Sequence, residues 1–134
     1  MISHHTALIY TMVLVSAADR RMPDAELRKM GEILGTLPVF EGFDQDSLPH
    51  VAGACADLLN DDDGLDRTFG LIEAALPPKL RETAYVLACD IAAADQKVTE
   101  EEARMLEMIR DRLHIDRLVA AAIERGARAR FSKA

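Results

Sequence analysis

Tryptophan is absent from this 134-residue chain, and four phenylalanines and two tyrosines are its whole aromatic complement. Residues that favour strands are therefore scarce, while Ala, Leu, Met and Glu are plentiful. That balance argues against a sheet-built core and for helices. Cysteine is almost as rare. Cys55 and Cys89 stand singly in apolar surroundings with no CxxC pair. They read as small buried hydrophobes of a reducing compartment, without a disulfide framework or a thiolate zinc site.

Other absences narrow the function. The formal net charge of −7 excludes an extended nucleic-acid surface. The longest near-continuous apolar run, Ala7 to Ala18, is too short to cross a bilayer. "MISHHTALIY" lacks the basic flank and small-residue cleavage site of a secretory signal, so a cytoplasmic location is expected. His4 and His5 fall in a terminus expected to fray. There is no phosphate loop, nucleophile motif or cluster of catalytic histidines, and His50 and His114 stand alone. A hydrolytic site built from carboxylates and two metals would lack an acid–base partner. The expectation is a protein that is not an enzyme.

What is present is ordinary globular material, 49 % apolar and 29 % charged, enough for one domain over residues 1–134 with a real core. Pro, Gly and Asp clusters cut it into about seven helices, predicting an all-α bundle. The first, from about His4 to Ala18, is apolar almost all round and should be buried. A second starts near Pro23, and "FDQDS" opens a third. After "NDDDG" comes a fourth. Pro77 and Pro78 open a fifth running to Ala94, Thr99 begins a sixth, and Asp116 caps a seventh. From Arg117 onward five basic residues face one acid, Glu124. This basic end, with its tail at 125–134, complements the dipole of the last helix; contact with anionic lipid or an acidic partner is the alternative.

A repeat appears on sliding the chain by 76 residues. Ala17, Ala18, Asp19, Glu26, Arg28 and Ile33 fall on Ala93, Ala94, Asp95, Glu102, Arg104 and Ile109. Each copy reads as a buried helix, a short turn and an amphipathic helix. Two such hairpins would bury their apolar helices against each other, giving a pseudo-twofold core.

The repeated carboxylates are the candidate site. Thr99-x-x-Glu102 is a capping box, which accounts for Glu102 without a ligand. Pro23 stands where the first copy would need that Thr, so Glu26 recurs without its capping partner. Asp19, Glu26, Asp95 and Glu102 converging at the turns would make an all-oxygen set suited to Ca²⁺ or Mg²⁺ rather than zinc. "NDDDG" does not make an EF-hand: with Gly64 sixth in the loop, Leu59 is first and Gly70 twelfth, where acids are needed. Asp61, Asp62, Asp63 and Asp66 are expected to be cap and loop acids. Asp90, in an apolar helix where the first copy has Leu14, should be held by an ion pair.

"LVSAADRRMPDAEL" and "ACDIAAADQKVTEEEARML", with "VFEGFD" and "LLNDDDG" between them, resemble the bacterial tellurite-resistance TerB family over roughly residues 5–118. Related domains occur in membrane-anchored DnaJ-like co-chaperones. The resemblance implies a helical domain of two pseudo-symmetric halves that acts without catalysis. It also implies a divalent-metal site at Asp19, Glu26, Asp95 and Glu102. The implied partners are protein components of tellurium and stress resistance, some at the inner face of the cytoplasmic membrane. The family usually has Gly after each Asp; here Arg20 and Gln96 follow. Arg20, Arg21 and Lys97 can neutralise the carboxylates in a metal's place. A metal-free scaffold, with its acids used as caps and ion pairs, is the alternative.

Overall fold

The computed structural model of the chain describes residues 1–18, 24–94 and 97–134. Among these residues there are seven α-helices and no strand: α1 (His4–Ser16), α2 (Asp24–Leu34), α3 (Leu48–Leu59), α4 (Gly64–Ala75), α5 (Pro78–Ala94), α6 (Glu100–Arg112) and α7 (Arg117–Arg130). Short 3₁₀ turns at Pro38–Phe40 and Gln45–Ser47 link α2 to α3.

The apolar pattern of α1 decides its position. Every residue from Ala7 to Ser16 is buried, so the helix has no solvent face. Leu8, Ile9 and Met12 are fully covered, each side chain contributing about 1.5–3 kcal/mol relative to exposure. The fully covered hydroxyl of Thr11 donates to Ala7 O at 2.9 Å, so it is not stranded there. α1 packs chiefly on α5, with α3, α4 and α6 closing around it. The two helices expected to cover one another do so. α5 is buried from Ala84 to Tyr85 and from Leu87 to Ala92, its opening turn facing water. α2 rests on α3 and α5, and α7 on α5.

The N-terminus departs from the expected fraying. Ser3 Oγ accepts from Thr6 N at 3.1 Å, capping α1 directly before His4. His5 stacks on Phe40, meets Phe43 edge-on and brings Nε2 within 2.6 Å of Val39 O. Two of the chain's four phenylalanines thus meet the start of α1 from the α2–α3 connection. The sequence hides this contact because its partners lie some 34 residues apart.

α3 also starts later than "FDQDS" suggests. Continuing the helix back would drive the Pro49 ring against the carbonyl of Gln45. Residues 45–47 take the tighter turn instead, with Leu48 N donating to Gln45 O and Asp44 accepting from Asp46 N at 3.0 Å.

Between α3 and α4, Asp63 stands in the left-handed region at φ 61 and makes no cap bond. Gly64 follows because a Cβ there would lie 2.3 Å from Leu58 O. The neighbouring acids serve ion pairs rather than caps: Asp61 with Arg67 at 3.4 Å and Asp66 with Arg112 at 3.0 Å. Arg112 is a hub, since it also meets Glu73 at 2.9 Å and lies over the Phe69 ring. Asp116 caps α7 as expected, accepting from Leu118 N and Val119 N.

Candidate functional site

Asp19 and Asp95, with Arg20, Arg21, Pro23 and Gln96, lie outside the described residues. The other half of the predicted set is described. Glu26 and Glu102 each occupy the third position of their helix, α2 and α6. A carboxylate there faces the positive end of the helix dipole, a favourable place for an acidic side chain. The sequence repeat is therefore also a repeat of helical position.

The two glutamates differ in their surroundings. Glu102 is 6 % exposed. Its Oε1 accepts from Thr99 N at 3.0 Å while Thr99 Oγ1 accepts from Glu102 N at 3.1 Å, completing the expected capping box. Glu26, with a side chain 17 % exposed, reaches back to the preceding helix: its Oε2 accepts from the Ser16 hydroxyl at 3.4 Å. Lys29, one turn on, brings Nζ within 4.0 Å of Glu26 Oε1. Lys97 is exposed.

Ser16 and Lys29 escaped the sequence reading. Lys29 was legible as the i+3 neighbour of Glu26. Ser16 was not, because its bond to Glu26 joins the end of α1 to the first turn of α2, ten residues on.

Glu26, Ser16 and Glu102 offer oxygen donors, the kind a hard cation takes, rather than imidazole or thiolate. Among the described residues there is no group of three or more His, Cys, Asp or Glu able to hold a metal.

Asp90 has the partner that its apolar helix demanded, Arg130 at the end of α7. Burial pushes its carboxyl above the usual range, and the guanidinium pulls it back only in part. Next to it, burial pushes the Cys89 thiol up to about 12, and Cys55 likewise to about 12. Both thiols therefore stay protonated near neutral pH, which removes thiolate chemistry. Tyr85 donates to Glu124 Oε2 at 2.5 Å; burial and that bond together raise its phenol well above its ordinary value.

No helix among the described residues is long and apolar enough to cross a membrane. The sequence model of the family described as "Tellurite resistance protein TerB" matches residues 5–125. No curated protein and no solved structure is matched by the chain.

Proposed function

We propose, from the premise that this chain belongs to the TerB tellurite-resistance family, that it is a non-catalytic helical module whose two halves share one divalent-cation site and which engages a protein partner. The observation that carries this reading is the recurrence of Glu26 and Glu102 at the third position of α2 and α6, each seven residues after an Asp. Capping explains Glu102 alone. It leaves Glu26 unexplained, because Pro23 has no hydroxyl to complete a box.

Asp19, Glu26, Asp95 and Glu102 would hold Ca²⁺ or Mg²⁺, whose charge would offset the repulsion of four gathered carboxylates. The packing supports a shared site. The α1–α6 and α2–α5 contacts exchange with one another under the 76-residue repeat, as a pseudo-twofold pairing of hairpins requires. Joining the hairpins through one ion would stiffen the surface presented to a partner, here a protein of the tellurium and stress-resistance systems at the cytoplasmic membrane face. An acidic cluster repels the tellurite anion, so sequestration of tellurite at these residues is no part of the proposal.

A second reading rests on Lys29 beside Glu26 and on the complete capping box at Glu102. In it the same acids are structural, and the domain is a metal-free scaffold. Calorimetric titration of Ca²⁺, Mg²⁺ and Mn²⁺ into chelator-stripped protein separates the two. Saturable binding lost in an Asp19→Asn, Asp95→Asn variant supports the shared site. A folded protein that takes up none of the three leaves the scaffold.

A further inference from the structure

A second feature lies away from the repeated acids. α6 and α7 each pack on α5, but they are not packed closely on one another. The gap between them is a cavity of about 690 Å³, open on one side. One face of each helix lines it. The floor is Tyr85, Cys89 and Ala92 of α5, all buried. Ala103 and Leu106 form one wall, and Ala127 and Phe131 the other. Small side chains at residues 92, 93, 103 and 127 leave the space unfilled.

Three observations define what fits. The volume falls within the range of small-ligand pockets, roughly 300–1,000 Å³. At its depth the Tyr85 hydroxyl is committed to Glu124, whose carboxylate also lies 3.8 Å from Arg110. Over the floor of Tyr85, Cys89 and Ala92 a buried ligand segment is best served by hydrocarbon. The rim is charged. Arg128 and Lys133 line it, are exposed, and have no carboxylate partner among the described residues. Glu107, on the α6 side, repels an anion and sets its charged end toward α7.

We propose that the groove between α6 and α7 binds a single-chain aliphatic carboxylate, its chain over Tyr85, Cys89 and Ala92 and its carboxylate between Arg128 and Lys133. This site is independent of the cation proposal, and its test is run in chelator. Dodecanoate below its micelle-forming concentration and uncharged dodecanol below its solubility limit are titrated into the full chain. The carboxylate should bind one to one and at least about tenfold more tightly than the alcohol, as charge-assisted hydrogen bonds imply. Arg128→Gln with Lys133→Gln should erase that preference while leaving chain binding. Ala103→Trp, at an exposed position that lines the groove, should abolish binding of both without changing the helical content.

Three results overturn the proposal: no saturable binding of dodecanoate, equal affinity for the alcohol, or binding indifferent to Ala103→Trp. An acidic amphipathic peptide that binds where dodecanoate does not would assign the groove to a protein and overturn it as well.

Discussion

The Asp90–Arg130 pair should respond asymmetrically to the loss of its two halves. Asp90 sits between Cys89 and Ile91 with its side chain 13 % exposed, whereas Arg130 is 51 % exposed. Arg130→Gln strands a carboxylate in apolar surroundings. Breaking a fully buried pair costs about 3–5 kcal/mol; with Arg130 half in water, about 1–2 kcal/mol is expected at pH 7. Asp90→Asn keeps the shape and returns the guanidinium to solvent, so it should cost less than about 0.5 kcal/mol. Adding Asp90→Asn to Arg130→Gln should recover most of the loss.

The pH dependence follows from the raised Asp90 carboxyl. A folded-state pKa above the unfolded one means that the group's stabilisation is present at low pH and is lost as pH rises through the folded pKa. Acidification therefore shrinks the Arg130→Gln penalty. Urea denaturation followed by far-ultraviolet circular dichroism, at neutral and mildly acidic pH, measures all of these; the chain has no tryptophan to report instead. If Asp90→Asn costs as much as Arg130→Gln, or the penalty grows on acidification, the desolvation argument is wrong.

Three other substitutions and one reaction are equally specific. Thr99→Ala removes the hydroxyl that accepts from Glu102 N and should cost about 1 kcal/mol in the same urea assay. Gly64→Ala places a Cβ 2.3 Å from Leu58 O and should destabilise by about 1–3 kcal/mol. Gly70→Ala, where a Cβ meets nothing within 4 Å inside α4, should stabilise by about 0.5–1 kcal/mol. Cys55 and Cys89, buried and pushed up to about 12, should resist a thiol reagent at neutral pH and react at once in denaturant.

The parts of the fold that the sequence revealed were those fixed locally. An apolar stretch with no polar face could only be a buried helix, and α1 is one. Thr99 with Glu102, and Asp116, announced helix starts because a cap is written within four residues. Asp90 announced a partner because a lone carboxylate among apolar residues must have one, though nothing in the sequence pointed to Arg130, 40 residues on.

Contacts made by distant segments stayed hidden. His5 against Phe40 and Phe43, Ser16 against Glu26, and the groove under α6 and α7 depend on how helices cross, which periodicity does not report. The groove has a further reason for being illegible: it is made by small alanines, whose absence of bulk matters only once three helix faces meet. At the repeated acids, the sequence anticipated the capping box at Glu102 but not Lys29 beside Glu26, a cation that competes for the role assigned to a metal.

The account turns on whether Glu102 is a ligand as well as a cap, and Glu102→Gln separates the two roles. Glutamine keeps the oxygen that accepts from Thr99 N, so the capping box survives, but it lacks the charge a hard cation requires. The measurement is the unfolding free energy of wild type and variant, stripped of metal and then at saturating Ca²⁺ or Mg²⁺. Without cation the two should agree within about 0.5 kcal/mol. At a hundred times its dissociation constant the cation should add about 2.7 kcal/mol to the wild type and little to the variant. Equal stabilisation of both by the cation, or of neither, would contradict a shared site and leave Glu102 as a helix cap alone.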